Sequence, residues 1–483
     1  MYATSEIVFF FIPLNQPNQM RSENLLFLTL SSLVFLSLSV YGKPSKPNMI
    51  VIMCDDLGYA DVGFNGCKDI PTPNIDSIAA NGVRCSSGYV SYPVCGPSRA
   101  GFITGRYQQR FGFERNPQYK ADDPDMGLTR KEKTIAELLK PVGYHSGVIG
   151  KWHLGAHIPT HHPLKRGFDE FYGHLGGGHV YFPEKLTIKR SEDAEGEYDS
   201  YRTWILKNYD PVKPRKYLTD EFSEEAVSFA DRNKEKPFFL FLSYNAPHLP
   251  LEATEKHLKR FASIKDLKRR TYAAMVSAVD DGVGLLLESL AKNDLEEKTI
   301  VVFLSDNGGP TTKNASSNSP LRGNKSDAWE GGYRVPFAVQ WKGTLPPAKT
   351  YDHPVSSLDL AATIVALSGA QAAKGRPLDG VNLIPFLKGE NESPPHDAIY
   401  LRKFDQNRFA VRLGKFKTVI PWKGGPPRLF DLEKDIAETK DLASEYPAKV
   451  AEIESLRKKW NARLVDPTFL GLIHSKAKRK KKK

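Results

Sequence analysis

The chain has 483 residues, 40% of them hydrophobic and 26% charged, and a formal net charge of +12. That is ample for a large core and excludes a wholly disordered chain. Four cysteines are too few for a disulfide framework, and their positions give no argument for pairing.

The N-terminus reads as a targeting segment. Met20-Arg21 precedes an apolar stretch from Leu25 to Val40, which runs into Tyr41-Gly42-Lys43-Pro44. A positive start, an apolar middle and a small final residue predict a signal peptide over 1–42, cleaved after Gly42. Met20 is an alternative initiator. An uncleaved anchor is the competing reading, but the stretch is short for a span of ~20 residues. Secretion or periplasmic export follows, with no membrane span left after signal removal.

The mature chain opens on Asn48-Met-Ile-Val-Ile-Met-Cys-Asp-Asp56. A continuous apolar run of this kind predicts a strand buried on both faces of a parallel sheet. Asp55 and Asp56 fall at its carboxyl end, where open α/β sheets bind ligands. Two adjacent carboxylates there either hold a hard cation or form a solvated acidic turn. Residues 71–82 read as a loop and a short helix, capped by Asn74 or Asp76 and ended by Gly82.

Residues 95–105, Cys-Gly-Pro-Ser-Arg-Ala-Gly-Phe-Ile-Thr-Gly, predict a helix with Pro97 in its first turn and Gly105 at its end. Cys95 then stands at the positive end of the helix dipole, beside Arg99. It is either a buried free cysteine or part of an anion-favouring site. The run Cys-x-Pro-Ser-Arg followed by Thr-Gly resembles the type I sulfatase signature. The resemblance implies that a maturation system oxidises Cys95 to formylglycine before folding. It also implies that the hydrated aldehyde is the catalytic nucleophile, with Arg99 among the groups that stabilise it.

A helix is predicted from about Lys131 to Leu139, then a strand over 146–150 that ends in Lys151-Trp-His153. On extended chain, Lys151 and His153 point the same way. Gly150-Lys-Trp-His-Leu-Gly155 resembles the second sulfatase signature. That implies that Lys151 contacts the sulfate and the formylglycine, and that His153 acts on the covalent intermediate. His157, His161 and His162 are irregularly spaced among prolines and read as a plain loop. Gly167 to Gly173 resembles another stretch of the family. The polar excursion 184–216 is expected to rim the pocket, with Lys165, Arg166, His174 and His179 as candidates for substrate choice.

A helix over 219–233 leads to an apolar strand from Pro237 that ends in Asn245-Ala-Pro-His248. The resemblance implies that His248 meets the sulfate ester and protonates the leaving oxygen. A helix over 267–292 carries Met275, Val276, Val279, Val283, Leu286 and Leu290 as a core-facing stripe, and Asp280 and Asp281 read as surface charges. Strand 299–305 repeats the logic of the first strand and ends in Asp306 and Asn307. If the two strands are neighbours, Asp55, Asp56, Asp306 and Asn307, with oxygens from residue 95 and substrate, give about six hard ligands. Calcium is the expected ion, magnesium the second choice, and the resemblance also implies calcium.

Residues 310–319 read as a mobile loop over the site, with Asn314-Ala-Ser as a glycosylation triplet. The segment from Leu321 to Lys325 resembles the family's lysine segment and implies that Lys325 belongs to the sulfate-binding shell. Glu330, Gly331, Gly332 and Arg334 read as scaffold. The sheet is expected to close with 337–341, followed by a helix over 357–368. A boundary falls at 389–396. Antiparallel strands are predicted at 398–401, 409–413 and 416–421, with a helix over 448–464 packed on them. Arg428 to Asp435 resembles the family's C-terminal subdomain.

The predicted organisation is a catalytic domain over 43–390, a C-terminal subdomain over 391–470 and a basic tail over 471–483. The tail carries seven Lys and Arg residues, and removing them from +12 leaves about +5. It is expected to be solvated and to cling to anionic glycans, which a sulfated-polysaccharide column would show as stronger retention of the full chain. No recognisable nucleic-acid module or basic face accompanies it. The fold implied is alkaline-phosphatase-like α/β, a large, mostly parallel sheet sandwiched by helices, plus a small C-terminal α+β subdomain with an antiparallel sheet. The implied activity is hydrolysis of a sulfate ester, with a sulfated carbohydrate as the favoured substrate. In the implied mechanism Asp306 is the base for the metal-bound hydroxyl. Lys151, Lys325 and Arg99 stabilise charge. His248, with Lys325, protonates the leaving group, and His153 removes the proton that expels sulfate. Two readings stay open beside it: a phosphodiesterase or phosphonate hydrolase on the same scaffold, and a non-catalytic sulfated-glycan-binding protein.

Overall fold

The computed structural model describes residues 46–118, 123–156, 158–186 and 204–471. The signal expectation over 1–42, His157 and the basic tail beyond 471 lie outside the described residues. Among the described residues no helix is long and apolar enough to cross a membrane, and all four cysteines are free thiols.

Among the described residues, sixteen strands form three sheets. In chain order they are β1 (Asn48–Cys54), β2 (Val83–Cys85), β3 (Gly88–Tyr89), β4 (His145–Lys151), β5 (Glu170–His174), β6 (Ile205–Lys207), β7 (Asp210–Val212) and β8 (Phe238–Ser243). They continue with β9 (Thr299–Ser305), β10 (Phe337–Gln340), β11 (Lys349–Tyr351), β12 (Val355–Ser356), β13 (Ala398–Lys403), β14 (Arg408–Leu413), β15 (Phe416–Ile420) and β16 (Arg428–Asp431). The main sheet has ten strands in the order β11-β2-β10-β9-β1-β8-β4-β5-β6-β7. Its centre is parallel: β1 pairs with β8 and β9, and β4 with β8 and β5. Strand β10 runs antiparallel between β2 and β9, and β6 and β7 form an antiparallel edge.

The apolar runs explain the layering. Successive residues of a strand face opposite sides. Met49, Val51 and Met53 of β1 join one core, with the Cys95–Thr104 and Leu358–Ser368 helices. Ile50, Ile52 and Cys54 join the other, with the Leu218–Arg232 and Leu267–Lys292 helices. Both faces are covered, so the central strands need no polar alternation.

Several expectations shift. The helix expected from Lys131 begins at Ile135, because Thr134 and Glu137 form a reciprocal capping box that sets its start. Strands β6 and β7 lie inside the expected 184–216 excursion. They are short, and Pro211 is tolerated because β7 is the edge strand. The sheet does not end at 337–340: β10 lies inside it, and β11 is the edge. Asp280 is no surface charge. Its carboxylate is buried and accepts bonds from the Asn74 side chain and the Ile75 N–H at the start of the Pro73–Ala80 helix.

The C-terminal sheet is antiparallel, β13-β14-β15-β16. It includes a fourth strand that apolar alternation did not signal. The Pro447–Asn461 helix packs Ile453 against Val411 and Leu429 of this sheet. A buried ion cluster ties the C-terminal sheet to the short helix Glu330–Tyr333. Lys417 on β15 lies 2.8 Å from Glu330 and 2.7 Å from Glu438, all three side chains buried. Burial pushes the Glu438 carboxyl up to about 7, with Lys417 acting the other way. Removing one partner of such a cluster strands a buried charge. Lys417→Met is therefore expected to cost about 3–5 kcal/mol in a denaturant titration, more than Glu438→Gln.

The segment before β13 is pinned as well. His396 Nε2 lies 2.8 Å from the buried Asp359 carboxylate, which also accepts the Ser356 and Val381 N–H groups. Burial opposes protonation, but the Asp359 charge and hydrogen bond outweigh it and raise the His396 pKa. This stabilisation is present below the ordinary histidine value of about 6.5 and is lost as pH rises through the raised pKa. The stability difference between the protein and His396→Gln should therefore shrink from pH 6 to pH 9, read from denaturation midpoints. A difference that does not change with pH would show that folding leaves the imidazole pKa unshifted.

Candidate active site

The carboxyl ends of β1, β9, β8 and β4 lie together because their registers align. Cys54 pairs with Ser305, Met53 with Ser243, and Gly150 with Ser243. Residues that follow these strands therefore converge: Asp55 and Asp56 after β1, Asp306 and Asn307 after β9, Lys151 at the end of β4. Ser305 Oγ accepts the Leu57 N–H and locks the two turns to each other.

Cys95 is the first residue of the helix Cys95–Thr104, and Gly105 ends it in the left-handed conformation. Asn116 Oδ1 accepts the Gly96 N–H at 2.9 Å, so this side chain caps the helix start. The Cys95 side chain is buried and faces the strand ends. Its sulfur, the carboxylates of Asp55 and Asp56, and that of Asp306 place ligand atoms within 4.8 Å of one another. His248 can join Asp55 and Cys95 in a similar group.

Cations surround this cluster. Arg99 Nε and Nη2 both lie 2.9 Å from Asp306 Oδ2, in a pair with no exposure on either side. Its Nη1 donates to the Lys151 carbonyl and to Ser243 Oγ. Lys151 Nζ meets Asp55 Oδ2 at 2.5 Å. Lys325 Nζ lies 2.6 Å from Asp56 Oδ1 and 3.0 Å from Cys95 Sγ. Asn307 Nδ2 donates to the same Asp56 oxygen at 2.7 Å.

Two histidines lie near this cluster. His248 Nε2 is 3.6 Å from Asp56 Oδ2, and its Nδ1 is 2.7 Å from the Leu249 carbonyl, so Nδ1 carries the proton of the neutral ring. His153 is buried, with no hydrogen-bond partner for either ring nitrogen. It packs on Gly177, where a Cβ would come within 2.6 Å of Nε2. Asp56 and His153 both take positive φ, 65° and 60°. Non-glycine residues hold this conformation only where the surroundings impose it, and such strain gathers at working sites.

The electrostatics follow from burial. Burial, then the Asp55 charge, raises the Asp306 carboxyl to about 6 against the pull of Arg99. Asp56 goes the other way, to about 2, because Lys325 and His248 outweigh its burial. Burial lowers His248 to about 4 with Asp56 opposing, and carries His153 well below its ordinary value with help from Lys151. Burial pushes the Cys95 thiol up to about 12, Lys151 and Lys325 acting against it. An unmodified Cys95 is thus a protonated thiol, which is a poor nucleophile.

Of the residues singled out for chemistry from the sequence, Cys95, Arg99, Lys151, His248, Lys325, Asp55, Asp56, Asp306 and Asn307 meet in this cluster, and His153 is buried within reach of the Lys151 and Arg99 charges. Of the rim candidates, His174 ends β5 directly opposite Lys151. Arg166 is buried, paired with Glu137 and bonded to the Leu128 and Glu132 carbonyls, while Lys165 is exposed. His174 and His179 are buried with their rings 5.0 Å apart. The expected mobile loop is pinned: Asn314 is buried and donates to the Asp56 carbonyl, and Asn318 bonds Gly309. A buried Asn314 side chain cannot carry a glycan in the folded protein. Ser243 and Asn116 were missed, because a serine inside an apolar strand and an asparagine in a loop carry no spacing signal.

Comparison with known proteins agrees with this geometry. The family model described as Sulfatase matches residues 47–370. N-acetylgalactosamine-6-sulfatase of Canis lupus familiaris is 33% identical over 395 residues, 79% of this chain and 73% of that one. Steryl-sulfatase of Homo sapiens is 30% identical over 508 residues, 85% of this chain and 86% of that one. The crystal structure of Ps i-CgsB in complex with k-i-k-neocarrahexaose is 42% identical with a TM-score of 0.82, covering 88% of this chain and 95% of that one. With the family-model match over two thirds of the chain, and with Cys95 at a helix start among three carboxylates and three cations, the chain belongs to the sulfatase family, enzymes that hydrolyse sulfate esters.

Proposed function

We propose that this protein removes sulfate from a sulfated carbohydrate, with residue 95 acting as formylglycine. The observation that carries the reading is the surroundings of Cys95. Its side chain heads a helix, lies 3.0 Å from Lys325 Nζ, and shares a compact cluster with Asp55, Asp56 and Asp306. The carbohydrate part rests on the 42% identity to Ps i-CgsB, whose structure holds a neocarrahexaose. The steryl-sulfatase relative shows why family membership does not supply this by itself.

The family implies a divalent metal, and the residues fit one. Oxygens of three carboxylates lie within 4.8 Å of one another, close enough to share one ion. One oxygen each of Asp55 and Asn307 is buried without a hydrogen-bond partner. The set is all oxygen apart from residue 95, which suits a hard ion, and calcium before magnesium. Asp55, Asp56, Asp306 and Asn307 would hold it. When bound, the ion and the formylglycine supply an activated hydroxyl aimed at sulfur.

The chain's own groups have distinct tasks. Lys151 and Lys325 hold the sulfate oxygens, and Arg99 fixes Asp306 through two nitrogens. Such charges are set before the reaction, so no reorganisation is needed as charge develops. Asp306, raised by burial, takes the proton of the attacking hydroxyl. His248 presents Nε2 to the departing oxygen, and an arriving anionic sulfate favours its protonated form. His153, buried and neutral, accepts a proton to release sulfate. A secretory leader over 1–42, a formylglycine-generating partner and a catalytic region ending near 390 complete the reading.

The test is sulfate release, followed by ion chromatography, from a panel of neocarra-oligosaccharides, N-acetylgalactosamine 6-sulfate and a steroid sulfate. The expected result is release from a saccharide. Release from the steroid alone, or cleavage of a phosphate diester instead, would overturn it.

A further inference from the structure

Lys325 sits on a loop, yet it must hold its ammonium against residue 95 and Asp56. The next residue, Ser326, takes a φ of 84°. A non-glycine residue in this region costs on the order of 1–3 kcal/mol and persists only where neighbours over-determine it. Ser326 has such neighbours on both sides. Its N–H donates to the Pro93 carbonyl at 2.8 Å, two residues before Cys95. Its carbonyl accepts from Lys403 Nζ at 2.9 Å and from Arg408 Nη1 at 3.0 Å. Lys403 also donates to Ser326 Oγ.

Lys403 and Arg408 come from the C-terminal sheet, directly opposite each other at the β13–β14 turn. Like charges in opposed positions destabilise a strand pair. Lys403 is buried as well, and burial with the Arg408 charge lowers its pKa to about 8. Asp327 accepts from Arg408 at 2.8 Å and offsets only part of this cost. Fastening a loop to the C-terminal sheet does not need two cations on one carbonyl. The two converge on the Ser326 carbonyl, at the strained residue next to Lys325.

We propose that Lys403 and Arg408 are positioning residues that aim Lys325 at the nucleophile by holding the Ser326 carbonyl. The C-terminal sheet thereby contributes to the reaction without touching substrate. This rests on the reading of Lys325 as a residue of the active site.

The test is a double-mutant cycle on full-length, matured enzyme with 4-nitrophenyl sulfate as the probe. Small displacements of a catalytic group cost up to about 100-fold. Lys403→Met is expected to lower kcat roughly 10- to 100-fold, with an unfolding midpoint close to that of the parent. In a Lys325→Ala background the same change is expected to do almost nothing, because its route is already cut. Binding of inorganic sulfate, read by calorimetry, should follow the same cycle. Arg408→Gln, at a side chain 27% exposed, gives a second reading if Lys403→Met does not fold. A parent-like kcat in the foldable variant, or an equal loss with and without Lys325, would overturn the inference. Full activity in Lys325→Ala would instead overturn the assignment of Lys325.

Discussion

Cys95→Ala is expected to abolish sulfate release, by a factor on the order of 10⁶, with little loss of stability. Removing a nucleophile costs that much where the remaining groups act only with it. Arg99, Lys151 and Lys325 would still bind an anion, but no atom would remain to attack sulfur. The fold should tolerate the change. Alanine has the highest helix propensity, and the change removes only the oxygen-bearing end of residue 95 beside Lys325, which keeps Asp56 as a partner. Inorganic sulfate should still bind. A variant that retains a tenth of parental activity would remove residue 95 from the mechanism.

Asp306 should be nearly as sensitive, for two separable reasons. Its carboxylate faces the cluster with Asp55 and Asp56, and it pairs with Arg99 where neither side chain is exposed. Asp306→Ala strands the Arg99 guanidinium in the core, and losing one member of a buried pair costs about 3–5 kcal/mol. Asp306→Asn keeps the shape and an acceptor oxygen for Arg99, so its stability loss should be smaller. Both should lower kcat at least about 1,000-fold, because an amide neither accepts the proton nor holds a cation as a carboxylate does. Metal content by mass spectrometry should fall in both. Activity retained in Asp306→Asn would remove the base role and leave Asp306 as a partner of Arg99 only.

The sequence made the centre of the molecule readable and left its supports obscure. Apolar runs that end in Asp55-Asp56 and Asp306-Asn307 announce buried parallel strands with polar tips. Their adjacency then follows from packing, seen in the Cys54–Ser305 register. Cys95, Lys151, His248 and Lys325 were found because they sit in short runs that resemble a family. Spacing could not have ranked Lys325 above any other loop lysine. The missed features depend on contacts between distant residues. Asp280 looks like a surface charge on an amphipathic helix until the Pro73–Ala80 helix start arrives to use it. Asn314 looks like a glycan acceptor until its side chain is found bonded to the Asp56 carbonyl. Lys403 and Arg408 are ordinary strand residues in sequence, and only the tertiary fold brings them to Ser326.

The most direct measurement is the mass of the tryptic peptide from Cys85 to Arg99, taken from catalytically active protein treated with a hydrazide that traps aldehydes. The account predicts an aldehyde at residue 95, present in proportion to specific activity across preparations made with and without a formylglycine-generating system. Active protein whose residue 95 is an intact thiol would contradict it.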